Sequence, residues 1–195
     1  TRRSFGRAPR GIPARRVVHA QRGRNCNVTF AVSGEVGLIH HKIAFETVTR
    51  QTFEQFLADL VRECSNMLPQ DEPIFFILDN ARPHIRAQLP AGTNPLIQLK
   101  FLPPYSPFLN CTEQAHSAFK AGVKRQLALP EWQRRVGDRA AAQQAGVNMQ
   151  QWRSDLLEEV AADNVQQITQ RKCAQWYNHC QTYLPRCLAR QEIDG

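Results

Sequence analysis

At 195 residues the chain is long enough for one domain with a substantial core. Its 42% apolar content is ordinary for a globular protein, and neither a run near the ~18 apolar residues of a membrane span nor a secretory signal is visible. The net charge of +8 is unevenly placed: Arg2, Arg3, Arg7, Arg10, Arg15, Arg16, Arg22 and Arg24 are eight arginines without an acid, and the other seventeen basic residues balance all seventeen acidic ones. Such a segment suits a polyanion, because each guanidinium can fork onto phosphate and release counterions. It equally fits a solvated arm or a localisation signal.

Residues 1–24 are rich in Arg, Gly and Pro and read as loop. Val28, Phe30 and Val32 then alternate with Asn27, Thr29 and Ala31, which predicts a strand. Ser33 to Gly37 is the turn, and Leu38 to Phe45 the return strand of a hairpin. His40 and His41 are adjacent on that strand, so they face opposite sides and read as structural. Thr52 to Gln55 fits a capping box ahead of an amphipathic helix with Phe53, Phe56, Leu57, Leu60, Val61 and Cys64 on one face.

Met67 to Pro73 is a polar connection into the unbroken apolar run Ile74 to Leu78, which ends in Asp79. A run of this kind reads as a strand buried on both faces, as in a parallel sheet. Asp79 then lies at its carboxyl end, where open α/β sheets place their chemistry. Pro83 to Leu89 reads as a short helical piece, and Leu96 to Leu102 as a second strand that stops at Pro103-Pro104. Asn110 can cap the next helix, with Glu113 in its first turn and Ala115, Ala118, Phe119, Gly122 and Val123 as its buried stripe. His116, Lys120 and Lys124 form a basic line facing away from the core, which fits helix surface and DNA contact equally.

Pro130 to Gly146 reads as linker plus a short helix. Trp152, Leu156, Leu157 and Val160 suggest another helix, and Asn164 is the candidate cap of a last one carrying Val165, Ile168, Trp176 and Cys180. The six cysteines include no Cys-x-x-Cys pair. Cys173, Cys180 and Cys187 recur every seven residues beside His179, which allows a zinc site. The better reading makes Cys173 and Cys180 small apolar residues on one helix face, with Pro185 breaking the helix before Cys187.

Leu78-Asp79-Asn80-Ala81-Arg82-Pro83-His84, followed by Leu102-Pro103-Pro104-Tyr105-Ser106-Pro107 and Leu109-Asn110 ahead of Glu113, resembles the mariner superfamily of DDE transposases. Arg22 to Thr29 and Gly37 to His40 resemble the strand pair after that family's first catalytic strand. Leu184 to Arg190 resembles the tail of the members abundant in fish genomes. The resemblance implies an α/β, RNase H-like fold, a mixed sheet flanked by helices. It divides the chain into a basic segment at 1–24, a catalytic core at 25–128 and a helical extension at 129–195.

It further implies two Mg²⁺ or Mn²⁺ ions ~4 Å apart, held by three acids, one of them bridging both metals. Asp79 matches the second acid and Glu113 the third. The implied partner is DNA, met by Arg2, Arg3, Arg7, Arg10, Arg15, Arg16, Lys120 and Lys124. The implied location is the nucleus. The resemblance allows a homodimer and calls for neither a membrane nor a small-molecule cofactor.

Without the resemblance, Asp79 could simply form an Asx turn and Glu113 complete a capping box. The family's first acid lies on an opening strand ahead of Thr1, and no acid precedes Glu35 here. The sheet is therefore expected to lack its first, central strand, and the chain alone to cleave little or nothing. Cys111 stands where the family has Pro, and Ala115 and His116 where it has bulky apolar or aromatic residues. Two other readings compete: a non-catalytic DNA-binding or dimerising remnant, and a structural protein with a Cys/His metal knot.

Overall fold

The structure, a computed structural model, describes residues 26–190 together with Arg10. Arg2, Arg3, Arg7, Arg15, Arg16, Arg22 and Arg24 of the basic segment lie outside the described residues; Arg10 is exposed in a turn.

β1 (Asn27–Ser33) and β2 (Gly37–Ala44) form the expected antiparallel hairpin. Alternation sends Val28, Phe30 and Val32 to one core and Ala31 to another. The register shifts between Ala31 and Val32, leaving Ile39 as the extra residue of a bulge. Gly37 at the hairpin end has φ +100°, and a Cβ there would come within 2.9 Å of the Gln170 backbone. Only glycine permits both that conformation and that approach.

Helix α1 (Arg50–Met67) is capped three residues before the predicted capping site. Thr49 is the cap: its Oγ1 accepts from Thr52 N at 3.2 Å, and Thr52 Oγ1 accepts from Thr49 N at 2.9 Å. Thr52 is thus the far partner of the box rather than its cap. The predicted apolar face is present, with Phe53, Phe56, Leu57, Leu60 and Cys64 buried. His40 rests its ring on Phe56 at 4.9 Å, while His41 pairs across from Phe30, so the two face opposite sides.

β3 (Ile74–Leu78) and β4 (Ile97–Phe101) pair in parallel, from Ile74 opposite Ile97 to Leu78 opposite Phe101. They are not hydrogen-bonded to the hairpin, so the described residues form two two-stranded sheets. α1 packs against both: Phe76 and Ile97 join its buried face, with Ala31 and Ile39 beside them. The expectation that β3 is buried on both faces fails. Phe75 is 49% and Ile77 54% exposed among the described residues, and the Lys100 ammonium stands over the Phe75 ring at 5.4 Å. The run is one-sided because the helices beyond β4 pack on the hairpin instead. The short helix expected at Pro83 to Leu89 is only a turn, and Arg86, at φ +64°, stops it from winding on.

A 3₁₀ turn (Pro107–Leu109) leads into α2 (Cys111–Leu127). Two helices follow, α3 (Pro130–Gly137) and α4 (Arg139–Gln144), where the sequence suggested a linker and one helix. Asp138 explains the difference. It closes α3, and its carboxylate accepts from Ala141 N at 2.9 Å to open α4. α5 (Met149–Val165), α6 (Gln170–Gln181) and α7 (Leu184–Leu188) complete the described residues. Asn164 does not cap a helix as predicted; it is buried in the last turn of α5, where its Nδ2 donates to Gln126 Oε1 at 2.6 Å. Thr169 caps α6.

α2, α5 and α6 make the second core around Ala115, Phe119, Ala161, Val165, Ile168 and Cys173, closed by Phe30 from the hairpin. A smaller cluster of Trp132, Leu156 and Val160 joins α3 to α5. Arg135 reinforces it, forking onto Glu159 at 3.0 and 2.7 Å and lying over Trp132 at 4.3 Å. Cys173 is buried in this second core and Cys180 is buried beside the Gln114 side chain, and burial raises both thiols. Burial likewise pushes Cys64 up to about 11, so its thiol stays protonated.

Asn148 Oδ1 accepts from Gln150 N and Gln151 N at 3.0 and 2.9 Å, satisfying two otherwise free donors of α5. Asn148→Ala is expected to lower stability by about 1 kcal/mol in urea unfolding. His41 and His116 are both held below the ordinary histidine value of 6.5, chiefly by burial, then by His40 and Lys120 respectively. Their neutral forms are favoured in the fold, so the unfolded chain takes up the proton first. The associated stability is complete above about pH 6.5 and falls as pH drops through that value. Melting temperature is expected to decline from pH 7.5 to 5.5, and less steeply in His41→Gln.

Candidate active site

Asp79 follows directly on β3. Leu102 N donates to Leu78 O and Asn80 Nδ2 donates to Leu102 O, both at 2.8 Å. These two bonds tie the carboxyl ends of the parallel strands together. The Pro-rich segment therefore leaves from the same edge that carries Asp79. It turns through Tyr105, which has φ +57° and is 98% exposed, and enters the 3₁₀ turn. Phe108 packs on Tyr183 at 5.3 Å and so anchors this loop to the last helices.

Asn110 caps α2 as expected, its Oδ1 accepting from Thr112 N at 3.1 Å and from Thr112 Oγ1 at 2.6 Å. The Asn110 N–H donates to Pro107 O at 3.0 Å. The donor that a capping box would give to Glu113 is thereby already used. The carboxylate stands exposed in the first turn of α2, where the helix amino-terminus favours its charge.

The two acids that the sequence singles out come together. Asp79 and Glu113 line one cavity of about 160 Å³, with Asn80, Ser106 and Asn110 as its other polar walls and Leu102, Pro103, Tyr105 and Pro107 closing it. Both act electrostatically on His116, tending to raise it against the stronger lowering by burial. His116 itself departs from expectation. It is half-buried with its ring 4.9 Å from Phe30, so it leaves the solvent-facing line, while Lys120 and Lys124 remain exposed on α2.

The donor set is hard oxygen. Mg²⁺ and Mn²⁺ suit such donors, and Mg²⁺ commonly takes one or two carboxylates and completes its shell with water and substrate phosphate. Two carboxylates on one cavity, with Asn80, Ser106 and Asn110 beside them, fit that requirement. Among the described residues no three His, Cys, Asp or Glu side chains stand together as a metal cluster.

A family model described as DDE superfamily endonuclease matches residues 1–133. The chain belongs to this family. No curated protein and no solved structure matches it. Membership carries a transposase- or endonuclease-type function with DNA as substrate, and DDE endonucleases generally use divalent metals. The mixed α/β architecture is consistent with a DDE nuclease fold.

Sequence reading passed over two residues of this site. Asn80 is the tie between the strand ends. His84 donates from Nδ1 to Asp79 Oδ1 at 2.5 Å. Both lie in the motif that carries the resemblance, and the interval from Asp79 to His84, one turn of chain, was the available signal. The Asx turn considered for Asp79 is also present, Ala81 N donating to Oδ1 at 3.1 Å.

Proposed function

We propose that the chain is the catalytic region of a mariner-type DDE transposase, akin to those abundant in fish genomes, with Asp79 and Glu113 as its metal-holding acids. The observation that carries this is the shared cavity: a strand end and a helix start, with thirty-three residues between them, bring two carboxylates to one hollow. In that role a bound Mg²⁺ or Mn²⁺ supplies Lewis-acid polarisation at the phosphate. The chain's own residues do the rest. Asp79 and Glu113 provide the negative oxygens, and Asn80 fixes the strand ends that carry Asp79.

The fold we assign is RNase H-like, with a further strand joining the two sheets into one mixed sheet. Support comes from the unbonded sheets, which share α1, and from the uncovered Phe75 and Ile77. The divisions at 1–24, 25–128 and 129–195 belong to the same proposal, as do a nuclear location and a homodimer. Among the described residues two acids line the cavity where the proposed site takes three, so the site is expected to be catalytically incomplete.

The test is nicking of supercoiled duplex DNA with Mg²⁺ or Mn²⁺. The chain is expected to leave the DNA at background. Metal-dependent nicking that disappears in Asp79→Ala would overturn the incompleteness but keep the site. Nicking that survives in Asp79→Ala would place the chemistry elsewhere and overturn the assignment.

A second reading, a DNA-binding remnant, is favoured by the course of α2. Lys120 and Lys124 follow Glu113 at seven and eleven residues, so all three lie along one helix face. A DNA backbone over the cavity would continue onto the two ammonium groups. Replacing both by Ala is expected to reduce the salt dependence of duplex binding by about two units of slope, roughly one per phosphate contact, with equal weakening across sequences. A slope equal to the parent's would remove these lysines from the interface.

A further inference from the structure

We propose that His84 is a positioning residue for Asp79, holding one carboxylate oxygen so that the other is presented to a metal ion. This rests on the assignment of Asp79 as a metal-holding acid and deepens it.

The arrangement runs outward from the core. Phe53 is buried in α1, and the His84 imidazole lies against it with ring centroids 4.1 Å apart and planes at 33°. That contact fixes the plane of the imidazole. From there Nδ1 reaches Asp79 Oδ1 at 2.5 Å and the Asp79 carbonyl at 3.3 Å. An ionised carboxylate only accepts, so Nδ1 carries the proton and donates. Ala81 N donates to the same oxygen. Among the described residues nothing donates to Oδ2. One oxygen is thus doubly held and the other kept free on a residue that lines the cavity.

A carboxylate on a strand end rotates about two side-chain bonds, and each rotation moves a would-be ligand oxygen. Two donors on Oδ1 remove that freedom before any ion arrives. Hydrogen bonds of this kind to metal-binding side chains typically change metal affinity by 10–100-fold when lost. The Nδ1–H tautomer is also imposed, since Nδ1 is the nitrogen that faces the acid.

The test combines Mn²⁺ titration by calorimetry on the full chain with ¹⁵N chemical shifts of the His84 ring in the metal-free protein. His84→Phe keeps a ring against Phe53 and removes the donor. His84→Asn sacrifices the ring but places an amide N–H near the position of Nδ1. Positioning predicts that His84→Phe weakens Mn²⁺ binding at least tenfold while melting within a few degrees of the parent, and that His84→Asn recovers most of that loss. It predicts Nδ1–H shifts in the parent that revert toward the Nε2–H form in Asp79→Ala.

Parental Mn²⁺ affinity in His84→Phe, with Asp79→Asn still defective, would overturn the role of His84 alone. Equal losses in His84→Phe and His84→Asn, or an Nε2–H ring in the parent, would do the same. Unchanged affinity in Asp79→Asn would overturn the metal assignment of Asp79 and this inference with it.

Discussion

Gly122→Ala is expected to lower the unfolding free energy by about 2–3 kcal/mol, although alanine is the better helix former by about 1 kcal/mol. The reason is the α2–α5 interface. A Cβ at Gly122 would collide with Asn164 Oδ1 and come within 3.1 Å of its Cγ. Asn164 is 1% exposed and has nowhere to retreat. Its Nδ2 donates to Gln126 Oε1 at 2.6 Å and Val160 O at 2.8 Å, and its Oδ1 accepts from Gln167 Nε2 at 3.1 Å.

Moving the amide therefore breaks a satisfied buried network, and a buried polar group left without partners costs about 1–3 kcal/mol. Overpacking alone would cost a similar amount. The two effects overlap, since one displacement produces both. Urea unfolding of Gly122→Ala, Asn164→Ala and the double variant separates them. Asn164→Ala removes the obstacle, so the double variant is expected to be clearly more stable than the sum of the single losses requires. Strict additivity would mean that Gly122 is small for some other reason.

This interface also shows where sequence reading reached and where it stopped. Spacing alone puts Gly122 on the buried stripe of α2, and α2 buries Ala115, Phe119 and Gly122 as that spacing implies. Asn164 reads as a cap because Asn is among the preferred residues ahead of a helical segment. Its actual partner, Gln126, is 38 residues away, and no local pattern encodes that pairing.

The same division runs through the site. Asp79 and Glu113 were legible because each sits at a junction that local signals define, an apolar run that ends and a helix that begins. That they share a cavity depends on the parallel pairing of β3 and β4, which the unbroken apolar run suggests and whose register no local pattern encodes. The exposure of Phe75 and Ile77 was illegible for a related reason. An apolar run reports what a strand can bury, and the covering layer is a property of tertiary packing.

Glu113→Gln is expected to weaken Mn²⁺ binding at least tenfold, about 1.4 kcal/mol, while leaving the metal-free protein nearly as stable as the parent. The two halves of this result have opposite electrostatic origins. In the metal-free protein Glu113 gains from the α2 amino-terminus, a stabilisation of about 0.3–1 kcal/mol at an exposed position. Against that, Asp79 shares its cavity, and two like charges facing one hollow repel. Neutralising Glu113 loses the first and relieves the second, so the melting temperature barely moves. The cap is untouched, because Thr112 and not Glu113 completes it.

A cation held in this cavity would turn the repulsion into attraction to both acids, and the same substitution would remove half of their charge. Asp79→Asn is expected to lose at least as much affinity, because it alters the oxygen pair that His84 and Ala81 orient. The double variant should be little worse than either single one, since one remaining carboxylate cannot hold the ion on its own. Calorimetry with Mn²⁺ and thermal melts with and without the metal read both halves. A Glu113→Gln protein that melts several degrees lower without metal and binds Mn²⁺ as the parent does would make Glu113 a structural helix-start residue, and the cavity would then hold one functional acid rather than two.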